Sequence, residues 1–206
     1  WKALSRAMLE LILCRNVTCK PHKWKLSNLS SLGLSVGTPT LVTPKKDKTV
    51  RFVSDFWELN KQIKQQPHPT PNIQDMLLNL EGFKCATSLD LNMGHCHLEL
   101  AAASKELCTI ALPFGKFECQ QIPVGLCNSP DIFQEKMNKL FQGLDCVQAY
   151  TDDLLTPSKG SFDDHLEKLK QVFYKLKEAG LKVNAAKSFF ACSELEHLGY
   201  WITRNG

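Results

Sequence analysis

Two amphipathic helical stretches with a short hairpin between them constrain this 206-residue chain more than any other feature. The first opens at Asn128-Ser129-Pro130, a polar residue ahead of a first-turn proline. It repeats Ile132, Phe133, Met137, Leu140 and Phe141 on one face and stops near Gly143. The second opens at Ser161-x-x-Asp164, the spacing of a capping box, and runs through Leu166, Leu169, Val172, Phe173 and Leu176 to Gly180. Between them, Cys146–Ala149 and Leu154–Thr156 are β-prone runs joined by Tyr150-Thr151-Asp152-Asp153. This predicts a hairpin with Asp152 and Asp153 at or just beside its turn. Upstream, Cys85–Leu89 reads as a strand that delivers Asp90 at its end, and downstream Leu181–Val183 reads as a further strand. Strand, helix, hairpin, helix, strand is a split βαβ order and places the chain in the α+β class.

That order lets the first strand lie beside the hairpin in one antiparallel sheet. Asp90 then comes close to Asp152 and Asp153, although about sixty positions separate them. Three carboxylates at one sheet edge repel one another. A divalent cation removes the repulsion, and an all-oxygen set suits Mg²⁺. A solvated Asp-Asp turn is the plainer alternative for the pair taken alone.

The remaining chain fits this frame. Thr40–Val42 and Val50–Val53 predict a hairpin with a cationic tip at Lys45–Lys48, where Lys45 and Arg51 could meet phosphates or simply face water. Thr70-Pro71 reads as a helix start, followed by Ile73, Met76, Leu77 and Leu80 on one face and Gly82 at the end. His97–Leu100 reads as extended. Leu107–Leu112 and Phe117–Ile122 flank a turn at Pro113–Lys116, and Leu198–Ile202 is the last β-prone run. Leu4, Met8, Leu11 and Ile12 have helical spacing, and Ser27–Gly37 has loop composition. Cys14, Cys19 and His22 lack a second ligand pair at zinc-site spacing.

With 43% hydrophobic residues the chain can bury a sizeable core, and a net charge of +4 permits a polyanionic partner without requiring one. Nine cysteines scattered through apolar stretches read as small buried hydrophobes in a reducing compartment. No apolar run reaches spanning length, so no membrane partner is expected, and no signal peptide is evident. The chain opens on Trp1 and is read as a piece of a longer protein.

Several of these stretches carry a family likeness. Tyr150-Thr151-Asp152-Asp153 resembles the Tyr-x-Asp-Asp motif of reverse transcriptases, and Ser88-Leu89-Asp90-Leu91-Asn92-Met93-Gly94 resembles their first aspartate motif. Lys45-Lys46-Asp47, Arg51 and Asp55–Asn60 resemble the fingers motifs, and Ile122–Pro130 the loop into the palm helix. Ala179–Asn184 with Lys187 is similar to the motif that follows, and Leu198-Gly199-Tyr200 to the primer grip. The wording is most similar to the polymerases of gypsy-type LTR retrotransposons, from about Leu34 onward.

The resemblance implies right-hand polymerase fingers and palm, the palm a split βαβ (ferredoxin-like) antiparallel sheet backed by helices. It implies a poorly defined segment 1–33, fingers at 34–84 and 107–124, and palm at 85–106 and 125–206 with the primer grip at the end. Thumb and RNase H are absent from the chain. The implied activity is RNA-directed DNA polymerisation within a Pol polyprotein, with an RNA or DNA template and its primer, dNTPs, and the thumb, RNase H and integrase domains as partners. Location in cytoplasmic particles is implied as well. Two Mg²⁺ ions, replaceable by Mn²⁺, are implied at Asp90, Asp152, Asp153 and the Leu91 carbonyl, with Lys187 as a further catalytic group. Lys45, Arg51, His95, Val124 and Tyr150 fall at nucleotide-binding positions; Asp55, Asn60, Pro123, Gly125, Leu198, Gly199 and Tyr200 fall at template–primer positions.

Four positions depart from the pattern. Trp57 stands for the usual arginine, His95 for the usual aromatic under the sugar, Lys48 for a turn glycine, and Thr156-Pro157 where an apolar strand would continue. A decayed copy that keeps the fold without turnover is the alternative these leave open. An RNA-dependent RNA polymerase is a third, which the Leu126–Pro130 wording disfavours.

Overall fold

The computed structural model describes residues 38–44, 50–78, 80–92, 94–112 and 115–203. The predicted N-terminal helix, the Cys14/Cys19/His22 group, the Ser27–Gly37 loop, Lys45 and Lys48 lie outside these. In chain order the elements are β1 (Thr38–Pro44), β2 (Val50–Ser54), α1 (Trp57–Gln62), α2 (Ile73–Leu78), β3 (Cys85–Asp90), α3 (Ala102–Leu107), β4 (Thr109–Leu112) and β5 (Gly115–Glu118). They continue with α4 (Ser129–Leu140), β6 (Gln148–Tyr150), β7 (Asp153–Ser158), α5 (Phe162–Glu178), β8 (Phe189–Cys192), β9 (Leu195–His197) and β10 (Tyr200–Ile202). Short 3-10 turns occupy Gly94–His97 and Ala185–Lys187. Among the described residues no helix is long and apolar enough to cross a membrane.

The chain forms two compact units. The larger takes the described residues of His68–Gly94 and Asp131–Gly206, the smaller those of Val17–Pro67 and His95–Pro130.

The larger unit holds an antiparallel sheet in the order β6-β7-β3-β8, the split βαβ order read from the sequence. Side chains alternate across it. Thr87 and Ser158 meet His165 of α5 on one face, through bonds of 2.8 and 3.1 Å to its two ring nitrogens. The other face carries Ala86 and Leu155, packed with Leu80, Phe83, Leu195 and Ile202. Along β3 and β7, Asp90 and Asp153 follow at the end of that second face. α5 is held at its start by the predicted box: the Ser161 hydroxyl accepts from Asp164 N–H, and the Asp164 carboxylate accepts from Ser161 N–H. Leu169, Val172, Phe173 and Leu176 are its buried stripe.

The smaller unit holds a sheet in the order β2-β1-β4-β5, with β1 parallel to β4 and the other pairs antiparallel. Its core gathers Phe56, Cys108, Ile110, Phe117 and Cys119. Asn60 of α1 donates to the Gly125 carbonyl at 2.8 Å and accepts from Cys127 N–H at 2.9 Å, so one side chain fastens the loop before α4.

Several local expectations need correction. Leu181–Val183 makes only a bridge, Val183 to Leu91, and the fourth strand of the sheet is Phe189–Cys192. His97 closes a 3-10 turn instead of starting a strand; Glu99 makes a bridge to Gln121. Residues 102–106, unassigned from the sequence, form α3 together with Leu107, read from the sequence as the start of a strand that begins only at Thr109. Asn72, not Thr70, serves the start of α2, its Oδ1 accepting from Gln74 N–H at 3.0 Å. The Ser129 hydroxyl donates to the Pro123 carbonyl rather than capping α4. Pro157 does not end β7. It pairs with Ala86 inside the strand, and because β6 reaches only Leu155 its missing N–H faces an open edge.

Candidate functional site

β-pairing does most of the work of building the acidic site. Tyr150 pairs with Asp153 across the hairpin, leaving Thr151 and Asp152 as a two-residue turn, and Asp153 pairs in turn with Asp90 on β3. Residues so opposed have Cβ atoms roughly 5 Å apart. The Leu91 N–H donates to the Asp152 carbonyl at 2.8 Å, which locks the strand end to the turn. Asn184 N–H donates to the Asp90 carbonyl and Asn92 N–H to the Lys182 carbonyl, so Leu91 is the non-bonded member of its bridge with Val183. Its N–H and carbonyl therefore lie on the Asp152 side.

The turn is strained and supported. Thr151 has φ of 49°, a left-handed backbone that β-branched residues rarely adopt and that costs on the order of 1–3 kcal/mol. Buried Gln134 of α4 meets it: Oε1 accepts from Thr151 N–H at 2.7 Å, and Nε2 donates to the Ala149 carbonyl at 2.9 Å. Gly94 is buried, and a Cβ there would collide with Asp152 Oδ1 and the Phe133 ring, so this close approach requires glycine.

Asp153 is half-buried, and its carboxyl is held above the usual carboxylate range, first by burial and then by the charges of Asp90 and Asp152, with Lys187 opposing. Lys187 Nζ stands 3.5 Å from Asp90 Oδ2, an exposed pair that contributes little to stability. Among the described residues no three His, Cys, Asp or Glu side chains stand together at full metal-ligand spacing. The three carboxylates share one sheet end, but Asp90 turns toward Lys187 and Asp152 packs on Gly94. The donor set, three carboxylates and a backbone carbonyl, is one that hard divalent cations take. The burial and like charges that push the Asp153 pKa up are a cost that such a cation offsets.

The structure thus brings Asp90, Asp152, Asp153, Lys187 and Tyr150 together in the larger unit, where Tyr150 is half-buried beside Asp153. Leu198 and Gly199 form the turn between β9 and β10 with φ of 52° and 81°, both left-handed as a type I′ turn needs, and Tyr200 is exposed just after it. The hairpin is tied to the sheet by His197 Nδ1, 3.0 Å from the Ser88 hydroxyl. Arg51 (on β2), Asp55, Asn60, Pro123, Val124 and Gly125 belong to the smaller unit. There Asp55 caps Trp57 N–H at 3.0 Å, Val124 is exposed, and Gly125 has φ of 109°. The His95 backbone lies in the Gly94–His97 turn; its side chain, like that of Arg51, is outside the described set.

Gln134 was not anticipated. Its signal is a polar residue on an apolar stripe, three positions before Met137 and seven before Phe141.

A split βαβ sheet carrying an aspartate turn and an opposed aspartate is the palm of a right-hand polymerase. Residues 43–202 match the family model described as reverse transcriptase (RNA-dependent DNA polymerase), and the chain belongs to that family. It is 33% identical over 170 residues to the Transposon Tf2-3 polyprotein and 32% identical to the Transposon Tf2-7 polyprotein, both of Schizosaccharomyces pombe (strain 972 / ATCC 24843). Each match covers 82% of this chain. The chain spans only 13% of the length of those relatives. Among solved structures, the foamy viral protease-reverse transcriptase in complex with an RNA/DNA hybrid has a TM-score of 0.76 and 27% identity, covering 83% of this chain and 23% of that one. Native prototype foamy virus protease-reverse transcriptase gives a TM-score of 0.75 and 29% identity, with the same coverage. The likeness to gypsy-type LTR retrotransposon polymerases stands with these matches.

Proposed function

We propose that this chain is the fingers-and-palm part of an RNA-directed DNA polymerase that adds deoxynucleotides to a primer 3′-hydroxyl, cut from a Pol polyprotein that also carries thumb, RNase H and integrase. The observation that carries this reading is the register Tyr150↔Asp153↔Asp90 with Asp152 in the adjoining turn, in a member of the reverse-transcriptase family. Fingers at 34–84 and 107–124 and palm at 85–106 and 125–206 are the proposed subdomains; the compact units change over after Pro67, Gly94 and Pro130, which puts 68–84 in the larger unit and 95–106 in the smaller.

Asp90, Asp152, Asp153 and the Leu91 carbonyl would hold Mg²⁺ or Mn²⁺. When bound, the cations supply a more acidic primer hydroxyl and a neutralised triphosphate and pyrophosphate. The protein's task is mainly to position and to balance charge. The sheet register sets Asp90 and Asp153 abreast. Lys187, which pairs with Asp90, would give a proton to the leaving pyrophosphate, a role supported by its closeness to that carboxylate. Lys45 and Arg51 grip the phosphates, while Tyr150, Val124 and His95 bound the nucleotide. Asp55, Asn60, Pro123, Gly125 and the Leu198-Gly199-Tyr200 turn contact template and primer, Asn60 by fastening the 125–127 loop.

Primer extension on poly(rA)·oligo(dT) with dTTP and Mg²⁺ tests the proposal. Wild-type chain extends the primer and Asp152→Asn abolishes extension. Equal rates for the two would overturn the site, and a folded, template-binding wild type that never extends would mark a decayed copy.

A further inference from the structure

We propose that Gln134 is the positioning residue of the acidic turn, its side-chain amide setting where the Asp152 and Asp153 carboxylates stand and hence how tightly the turn takes a divalent cation. The cation half of this rests on the polymerase reading; the turn geometry does not.

Gln134 is 1% exposed, on the stripe of α4 that also buries Phe133 and Met137. Both ends of its amide are used on the same short segment. Oε1 accepts from Thr151 N–H, and Nε2 donates to the carbonyl of Ala149, two residues earlier. The partners fix the amide's orientation, since a peptide N–H can face only the oxygen and a carbonyl only the nitrogen. One rigid planar group therefore spans the entry to the turn. Thr151 is the residue held at φ of 49°, so its N–H is aimed at the helix by a backbone shape it would not choose alone.

The grip is itself held. Gln134 Nε2 also donates to Asn138 Oδ1 at 2.9 Å, Asn138 Nδ2 lies 2.9 Å from His68 Nε2, and His68 N–H donates to Asp131 Oδ1 at 2.9 Å. Asp131, Gln134 and Asn138 all lie on α4, so the turn is referenced to that helix. Phe133, the preceding residue, faces Gly94 beside Asp152. Adjacent residues of α4 thus set the turn's backbone and bound its carboxylate. None of these groups touches a reacting atom, so their effect is on placement.

The test uses the 206-residue chain. Gln134→Met keeps volume and helix propensity but removes both bonds to the turn and the one to Asn138. It is compared with Val172→Ala, a fully buried position in α5 that makes none of these bonds. Amide exchange at Thr151 is read by NMR and Mn²⁺ affinity by electron paramagnetic resonance. In Gln134→Met, Thr151 exchange rises at least tenfold more than that of Leu154 and Leu155, and Mn²⁺ affinity falls about tenfold, as loss of groups that orient metal ligands commonly causes. Val172→Ala loses stability without either change. Lower stability in Gln134→Met with Thr151 exchange and Mn²⁺ affinity unaltered would overturn the proposal. If Gln134→Met does not fold, the wild type decides: a Thr151 amide exchanging as fast as exposed loop amides refutes the grip. A wild type that binds no Mn²⁺ but protects Thr151 refutes the cation reading and leaves the grip standing.

Discussion

Gly94→Ala is the sharpest perturbation of the acidic site that removes none of its carboxylates. Gly94 has no left-handed backbone, so alanine brings no φ penalty and the consequence is steric alone. The added methyl would overlap Asp152 Oδ1 and Phe133 Cζ and stand 3.1 Å from Phe133 Cε1. Comfortable carbon contacts begin near 3.5 Å, so the neighbours must retreat by about 1 Å. Phe133 is 1% exposed in close packing and yields at high cost, whereas the Asp152 carboxylate turns on a single bond from the backbone. Overfilling of this kind costs about 1–3 kcal/mol of stability. The larger effect falls on Asp152, whose carboxylate is pushed from its place against Gly94. Urea denaturation should therefore show a modest loss, and Mn²⁺ titration a weakening of at least about tenfold, roughly 1.4 kcal/mol. Wild-type stability together with wild-type Mn²⁺ affinity would refute the packing of Asp152 on Gly94.

Three further outcomes follow from the packing. Leu155→Ala, at a site 1% exposed among Ala86, Phe83 and Leu195, should cost about 2–5 kcal/mol in urea denaturation; a loss below 1 kcal/mol would contradict the described core. His197 is buried, which pushes its pKa down to about 4 from 6.5. Its stabilising neutral form is fully present above pH 6.5, and about 3 kcal/mol is lost as pH falls from 6.5 through 4. His197→Phe should flatten that part of the stability–pH curve. His165, lowered first by burial and then by the charge of Lys168, keeps a contribution of the same sign, so an unchanged curve would refute the burial of His197. Ser161→Ala removes half of the box at the start of α5 and should cost about 1 kcal/mol by the same assay, with no change counting against the cap.

Much of the larger unit is legible in the sequence because its elements obey strong local periods. The 3.6-residue stripe from Leu169 to Leu176, the box at Ser161 and the apolar run into Asp90 each specify their own element. The pairing of Asp90 with Asp153 follows from that order, because a split βαβ sheet puts its first and third strands side by side. What escaped depends on contacts that no local pattern encodes. Leu181–Val183 has strand composition but meets only Leu91. Phe189–Cys192, interrupted by Ala191 at φ of 49°, has the less regular pattern yet pairs with β3. α3 buries none of its residues, so no apolar stripe announces it. Pro157 reads as a strand terminator until β6 is seen to end before it. The roles of Gly94 and Gln134 are set by side chains from distant parts of the chain, and the turn they support is the one the whole site rests on.

Anomalous diffraction from crystals of the chain grown with Mn²⁺ is the most direct measurement of that site. Scattering peaks are expected with carboxylate oxygens of Asp90 and of the Asp152–Asp153 turn both within about 2.2 Å of a common ion. Saturating Mn²⁺ with peaks only elsewhere, or bound to one of these aspartates and not to the others, would contradict that arrangement.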